Sequence, residues 1–178
     1  MTGSYRVAVV GATGAVGGVM LDVLAARAFP AAEVVPFASA RSAGRELPQG
    51  VVRPLEEDTI QGFDVALFSA GSGVSAEWAP RFAATGCLVI DNSSQWRMSP
   101  EIPLVVAEVN PEAIDAHRGI VANPNCSTMQ MVVALKPLHD VAGIERLVIS
   151  TYQSTSGTGV RAVAEMMEQA GEILGGGV

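Results

Sequence analysis

The sequence predicts an α/β protein: a doubly wound parallel sheet, followed by the start of a second, truncated α/β domain. Three observations lead to this fold class. Short, nearly continuous apolar runs recur along the 178 residues, as in strands that are buried on both faces of a sheet. Segments long enough for a helix separate most of these runs. A glycine-rich turn joins the first run to a helical pattern, which is typical of a strand–turn–helix unit.

The N-terminal elements follow from hydrophobic periodicity. Residues 5–10 (YRVAVV) predict the first strand, and residues 33–39 (EVVPFAS) predict the second. Between them, apolar side chains recur every three or four positions and form one face of a helix over residues 15–27. The sequence LPQG at residues 47–50 predicts a turn before a short extra strand.

The middle and C-terminal elements alternate in the same way. Pro80 is expected to kink or shorten the helix that contains it, because proline has no N–H to donate. The closing sequence GGGV at residues 175–178 is expected to end the last helix. We predict strands near residues 64–69, 87–91, 119–122 and 146–153, and helices near 75–85, 111–117, 126–139 and 158–172.

The first strand, the turn GATGAVG at residues 11–17 and the following helix form the unit that binds dinucleotides in Rossmann-type folds. In that unit, glycines permit a tight turn and let the backbone approach the pyrophosphate, whose charge rests on the helix N-terminus. The spacing here is G-x-x-G-x-x-G rather than the commoner G-x-G-x-x-G. A glycine-rich turn without a ligand is therefore the alternative.

The end of the second strand indicates which dinucleotide is bound. Units that bind NAD place Asp or Glu there to accept from the ribose 2′-hydroxyl, whereas this chain has SARSAG at residues 39–44. Arg41 and the hydroxyls of Ser39 and Ser42 can all donate to a 2′-phosphate. We therefore predict NADP as the cofactor, with a solvated loop arginine as the alternative.

Cys126 lies in the segment best suited to covalent chemistry, NPNCST at residues 123–128. An apolar strand leads into this polar turn and a helical pattern follows it, so the cysteine is expected at a helix N-terminus. There the unpaired N–H groups and the helix dipole favour the thiolate, which is the form that attacks a carbonyl. The alternative is a small core hydrophobe, which is what we predict for Cys87.

Five motifs stand out along the chain: GATGAVG at 11–17, SARSAG at 39–44, DNSSQWRM at 91–98, NPNCST at 123–128 and STYQSTSGTG at 150–159. Together they resemble one family, aspartate-β-semialdehyde dehydrogenase, in the family's order and over essentially the whole chain. The resemblance implies NADPH-dependent reduction of β-aspartyl phosphate to aspartate-β-semialdehyde, with release of phosphate. That reaction belongs to amino-acid biosynthesis, on the route to lysine (through diaminopimelate), threonine and methionine.

The resemblance also implies roles for individual residues. Cys126 is the nucleophile that forms a thioacyl-enzyme, and Gln153 orients that intermediate. Arg97 binds the transferred phosphate with Asn92 beside it, and Asn125 lines the same pocket. From the residues alone, Arg97 could equally join a surface ion pair and Gln153 could satisfy backbone groups. Cofactor contacts are implied for Gly11, Thr13, Gly14, Ala15, Val16, Gly17, Ser39, Arg41, Ser42, Ser69, Ala70, Gly71, Ser156 and Gly157.

The chain departs from the family in length, because family members are roughly twice as long. The absent portion is implied to supply a histidine acid/base and an arginine that binds the substrate carboxylate. Neither histidine here replaces them: His139 is thirteen positions after Cys126, roughly 20 Å along a helix, and His117 lies in a polar surface stretch. We therefore expect part of a longer polypeptide, inactive alone, with an NADP-binding domain at 1–122 and the beginning of a catalytic and dimerisation domain at 123–178.

Composition narrows the class of protein. A formal net charge of -7 disfavours non-specific binding to nucleic acid. No apolar run approaches the roughly 20 residues of a membrane helix, no signal peptide is evident, and we predict no metal site. These observations favour a cytoplasmic protein with small-molecule substrates, and the family resemblance implies a homodimer or homotetramer.

Three alternative functions stay open. N-acetyl-γ-glutamyl-phosphate reductase has the same fold and chemistry, but its nucleophile typically lies in PGCY, whereas this chain has PNCS. The chain could instead be a non-catalytic NADP-binding or regulatory protein. It could also be a structural fragment that pairs with a partner chain supplying the missing groups.

Overall fold

Strands and helices alternate along the computed structural model, which describes residues 4–175. Within those residues, no helix has both the length and the apolar character that crossing a bilayer requires. Short 3₁₀ helices occupy Ala40–Ser42, Pro111–Ala116 and Thr155–Thr158. The strands are β1 (Tyr5–Val10), β2 (Ala31–Ala38), β3 (Glu46–Leu47), β4 (Gly50–Val51), β5 (Arg53–Pro54), β6 (Val65–Phe68), β7 (Leu88–Asp91) and β8 (Ile120–Ala122), and the α-helices are α1 (Ala15–Ala26), α2 (Ser72–Ala84), α3 (Cys126–Ala142) and α4 (Val160–Leu174).

The main sheet is parallel throughout and has the strand order β5-β2-β1-β6-β7-β8. From β1 the chain first builds outward to β2 and β5, and then crosses to β6 and builds in the opposite direction. Open α/β sheets bind ligands outside the carboxyl ends of the strands at such a reversal. In this chain the reversal lies between β1 and β6. The strands β3 and β4 form a separate antiparallel hairpin.

Successive residues of β1 point to opposite faces of the sheet, and an apolar cluster covers each face. One apolar cluster, which includes Val7, Val9 and Leu21, packs against α1. The other includes Val10 of β1 and Phe82 of α2. This arrangement confirms the predicted doubly wound sheet.

Most predicted elements are confirmed, with ends that differ by up to three residues. The turn predicted at residues 47–50 joins β3 to β4, and the short strands β4 and β5 follow it, of which β5 pairs with β2 at the edge of the sheet. Pro80 does not shorten α2, which continues to Ala84. Its position is exposed, so water can hydrate the carbonyl oxygen that lacks a helical donor. The residues 176–178 that were expected to end α4 lie outside the described part of the chain, and Gly175 caps the helix.

The helix predicted over 111–117 is present as a 3₁₀ helix, but one predicted strand is wrong. The strand predicted over 146–153 is absent, because no segment within residues 4–175 pairs with it. Its apolar residues favour a strand, but a strand also needs a neighbour that exchanges backbone hydrogen bonds with it. None of the described strands lies beside this segment to exchange those hydrogen bonds.

Candidate functional site

The turn after β1 is packed so closely that two positions require glycine. Gly11 has a φ of +90°, and a Cβ on it would lie 2.7 Å from the carbonyl carbon of Ser69. A Cβ on Gly17 would overlap the carbonyl group of Gly11, because the first turn of α1 rests directly on that group. The two glycines therefore bring β1, α1 and the segment after β6 into backbone contact.

The N-terminus of α1 is open to an external acceptor. The helix starts at Ala15 with Gly14 as its N-cap, and no side chain within the described residues caps it. Its first N–H groups can therefore donate to an anion, which the helix dipole also favours. α2 begins in the same way after Gly71, at the same edge of the sheet.

A cavity of about 560 Å³ opens at this edge, where the strand order reverses. We call it the switch-point cavity. Its volume lies in the range of small-molecule and cofactor sites. Four segments build its wall: the turns after β1 and β6, the loop after β7, and the segment that leads into α4. The lining residues are Thr13, Gly14, Ala15, Val16, Ser69, Gly71, Asn92, Ser93, Ser156, Gly157, Thr158, Gly159, Val160 and Arg161.

The switch-point cavity brings together most of the residues predicted to contact the cofactor. Three others, Gly11, Gly17 and Ala70, lie outside the lining and shape the turns by close packing. Sequence reasoning missed Ser93 and the stretch 158–161. A usable signal was present, because SGTG followed by a helical pattern repeats the glycine-turn-helix order of residues 11–17. Arg161 is a second signal, since a cation in the first turn of α4 opposes the helix dipole unless an anion binds there.

Arg41 lies at the carboxyl end of β2, outside the wall of the switch-point cavity but at the same edge of the sheet. It belongs to the 3₁₀ helix Ala40–Ser42, in which Arg41 is exposed and Ser42 is half-buried, and Ser39, the N-cap of that helix, is exposed. No acidic residue follows β2 directly. The acidic residue within β2, Glu33, is paired with Arg6 at 2.9 Å and with Arg53 at 3.6 Å.

Arg97 connects the ends of β7 and β8. Its Nε donates to the carbonyl oxygen of Asn123 at 2.8 Å, and its Nη2 donates to that of Asn92 at 3.1 Å. These bonds use one edge of the guanidinium, and its other N–H groups have no partner within residues 4–175. That second edge has the fork geometry that matches a phosphate. Asn92 lines the cavity and Asn123 is three residues before Cys126, so Arg97 links the cavity to the cysteine loop.

Cys126 is the first residue of α3 and is exposed, which confirms the predicted helix N-terminus. Asn125 is the N-cap, and its Oδ1 accepts from the N–H groups of Ser127 at 3.0 Å and Thr128 at 3.3 Å. In the structure the Asn125 side-chain oxygen therefore caps α3. Its contact with substrate stays a prediction. The cap satisfies two N–H groups in the first turn of α3, next in sequence to Cys126.

Gln153 lies beside the wall of the switch-point cavity. It is exposed, in a segment with no helix or strand, and its side chain rests on Gly157 of the cavity wall. A Cβ on Gly157 would approach the Gln153 Cδ to 2.9 Å. No hydrogen bond joins Gln153 to Cys126 or Arg97 in the described part of the chain.

Cys87 is buried in the core, and the two histidines form hydrogen bonds with backbone N–H groups. Cys87 is 1% exposed, as predicted, and burial together with the nearby Asp64 charge raises the pKa of its thiol to about 12. His139 Nδ1 accepts from the Ile144 N–H at 3.1 Å beyond the end of α3. The equivalent atom of His117 accepts from a backbone N–H two residues further on. Neither imidazole forms a hydrogen bond with Cys126 in the part of the chain that the structure describes.

Comparison with known proteins agrees with this geometry. Residues 6–117 match the profile of the semialdehyde dehydrogenase NAD-binding domain, and residues 135–177 match that of the semialdehyde dehydrogenase dimerisation domain. An aspartate-semialdehyde dehydrogenase of Aquifex aeolicus is 55% identical over 172 residues, which is 93% of this chain and 51% of that protein.

Solved structures give the same result. The aspartate semialdehyde dehydrogenase II of Vibrio cholerae, in a complex with ASA, superposes with a TM-score of 0.89 at 48% identity and covers 98% of this chain and 54% of that one. The enzyme of Candida albicans with NADP has a TM-score of 0.66 at 27% identity, over 79% of this chain and 48% of that one. The chain thus spans about half the length of the relatives that it matches. It belongs to the semialdehyde dehydrogenase family.

Proposed function

We propose that this chain is the cofactor-binding and nucleophile-bearing part of an NADPH-dependent aspartate-semialdehyde dehydrogenase. The reaction would be reduction of β-aspartyl phosphate to aspartate-β-semialdehyde with release of phosphate. One observation carries the proposal: Arg97 joins the wall of the switch-point cavity, at Asn92, to the loop that leads into Cys126. A single cationic side chain thereby joins the cavity wall to the loop that carries the proposed nucleophile.

The residues present fit a dinucleotide. Glycines at positions 11 and 17 leave no room for side chains, and the uncapped N-terminus of α1 faces the cavity with its N–H groups. Arg161 would add a positive charge at the same wall. The choice of NADP is supported by Arg41 at the end of β2 and by the ion pairs that hold Glu33 elsewhere. Bound there, NADPH would supply the hydride.

Cys126 and Arg97 would share the acyl-transfer step. The Cys126 thiolate attacks the acyl carbon, the bond from that carbon to the phosphate oxygen breaks, and phosphate leaves carrying the electron pair. The free edge of Arg97 would bind the departing phosphate bidentately. Cys126 would hold the acyl group as a thioester until its reduction to the aldehyde, on which the carbon–sulfur bond would break and the thiolate would be restored. Gln153, resting on Gly157, would orient the acyl group next to the cavity.

Other groups of the reaction are proposed to come from polypeptide beyond these residues. His139 lies thirteen residues along α3 from Cys126, roughly 20 Å away, so it cannot serve as the base. We place the domain boundary after β8, near residue 122, with Cys126 in the second, dimerising domain. The match of residues 135–177 to a dimerisation profile supports a homodimer or homotetramer, and the charged, water-soluble substrates suit a cytoplasmic enzyme.

Titration of the purified chain tests this proposal in two stages. NADPH and NADH are first titrated by calorimetry, and we expect saturable binding with a preference for NADPH. Absence of saturable binding contradicts the cofactor assignment. Aspartate semialdehyde, NADP and phosphate are then supplied together, and we expect no turnover by the 178-residue chain alone. Turnover with N-acetylglutamate semialdehyde in its place would favour the reductase alternative.

A further inference from the structure

The loop that carries Arg97 is attached to α2 by a tryptophan. Trp96 Nε1 donates to the hydroxyl of Ser75 at 2.8 Å, and Ser75 is only 1% exposed. The ring of Trp96 packs against the apolar cluster on the α2 face of the sheet. This bond pairs the indole N–H and gives the buried hydroxyl oxygen a donor, so loss of either partner removes that pairing from the other.

A second side-chain contact joins the same two elements. The hydroxyls of Ser72, in the first turn of α2, and Ser94 lie 3.1 Å apart. The loop is also braced internally, since Ser93 Oγ donates to the buried Asp91 and accepts from the Gln95 N–H at 3.1 Å. The bond from Ser75 to Trp96 is the one of these contacts that ends next to Arg97.

We propose that Trp96 and Ser75 are positioning residues that hold Arg97 for phosphate binding; this inference rests on the proposed role of Arg97. The two carbonyl oxygens that bind the guanidinium fix one of its edges. The backbone from which Arg97 extends is fixed by its neighbour Trp96. A bidentate contact tolerates little displacement, so an anchor one residue away affects how well the free edge meets a phosphate.

Three variants test the inference in the ¹⁵N-labelled chain. Ser75→Ala removes the acceptor and Trp96→Phe removes the donor but keeps an aromatic ring. Trp78→Phe is the control. Trp78 lies on α2, as Ser75 does, but its ring stacks on Arg81, 4.5 Å from that guanidinium. Inorganic phosphate and NADPH are each titrated, and the Arg97 Nε–H and tryptophan Nε1–H resonances are followed by NMR.

We expect Ser75→Ala and Trp96→Phe to weaken phosphate binding by roughly three- to tenfold, the effect of one hydrogen bond. NADPH affinity should be unchanged, and Trp78→Phe should match the parent chain. Exchange of the Arg97 Nε–H with water should accelerate in the two test variants but not in the control. A merely structural role would lower thermal stability without this selective loss of phosphate affinity.

Arg97→Ala separates failure of this inference from failure of the proposed function. If Arg97→Ala binds phosphate as the parent does, or the parent binds none, the phosphate role of Arg97 is wrong and this inference falls with it. If Arg97→Ala loses binding while Ser75→Ala and Trp96→Phe keep it, only the positioning role is wrong. Unchanged Arg97 Nε–H exchange in both test variants overturns the positioning role whether or not phosphate binds.

Discussion

At the scale of single residues, the candidate site is a chain of contacts. Arg97 touches the backbone of Asn92 at the cavity and of Asn123 near the cysteine. Neither contact involves a partner side chain, so both carbonyl oxygens hold the guanidinium without neutralising its charge. The positive charge therefore stays available to an anionic substrate.

The two thiols are expected to differ strongly in reactivity. Cys126 is exposed at the start of α3, whereas Cys87 is buried and its pKa is raised to about 12. A pH of 8 is about four units below the pKa of Cys87, so very little of this thiol is present as the reactive thiolate. We therefore expect iodoacetamide to modify Cys126 at least roughly 100-fold faster than Cys87. Peptide mass spectrometry measures both rates. In urea the two rates should converge, and fast labelling of Cys87 in the folded chain would refute the assignment of the core thiol.

Arg41 is expected to select the phosphorylated cofactor. Arg41→Ala should weaken NADPH binding by roughly ten- to a hundredfold, because it removes a charged hydrogen-bond donor to the 2′-phosphate. NADH binding should not change, since NADH lacks that phosphate. Arg45→Ala is the matched control, an exposed arginine four residues along the same loop. Equal losses for both cofactors, or for both variants, would contradict the role of Arg41.

At the scale of elements, helix N-termini and close backbone packing define the switch-point cavity. α1, α2 and α4 each begin after a glycine, and none of these starts has a side-chain cap within the described residues. All three helices begin at or next to the wall of the switch-point cavity, at the edge of the sheet where the strand order reverses. Partial positive charge from several helices is therefore directed to one cavity.

Two adjacent glycines of α1 provide a sharp test of this packing. A Cβ on Gly17 would collide with the backbone of Gly11, whereas a Cβ on Gly18 would meet nothing within 4 Å. Gly17→Ala should lower the free energy of unfolding by about 1–3 kcal/mol and weaken NADPH binding. Gly18→Ala should raise the free energy of unfolding by about 0.5–1 kcal/mol, because alanine favours the helix. Urea unfolding measures the free energy of unfolding of both variants. Equal changes in the two variants would disprove the close contact at Gly17.

At the scale of the whole molecule, one buried group links stability to alkaline pH. The pKa of Cys87 is raised from 9.0 to about 12 in the folded protein, chiefly by burial and then by Asp64. Between these values the folded chain binds more protons than the unfolded chain, so the free energy of unfolding falls as the pH rises. The contribution is fully present below about pH 9 and is lost toward pH 12.

Cys87→Ala should remove this pH dependence. The difference in the free energy of unfolding between the parent and Cys87→Ala should narrow by up to about 1.4 kcal/mol per pH unit above pH 9. Urea unfolding at pH 8, 9 and 10 measures it, and Cys126→Ala serves as the control for an exposed thiol. A constant difference across that range would show that Cys87 does not titrate with a raised pKa.

The sequence by itself determined the fold class, the glycine turn, the helix start at Cys126 and the buried Cys87. These features depend on local chemistry: apolar runs, residues that allow a tight turn, and a polar segment before a helical pattern. The strand predicted over 146–153 failed because apolar character cannot say whether a neighbour is present to exchange hydrogen bonds.

Only the tertiary structure decided which distant segments meet. It brought the stretch 156–161 into the wall of the same cavity as the turns after β1 and β6, and it placed Gln153 beside that wall. It also showed that Arg97 is held by two backbone carbonyl oxygens and that Trp96 is bonded to Ser75. These contacts join residues from 5 to 26 positions apart in the chain, and such pairings arise from the order and crossover of parallel strands rather than from any local pattern.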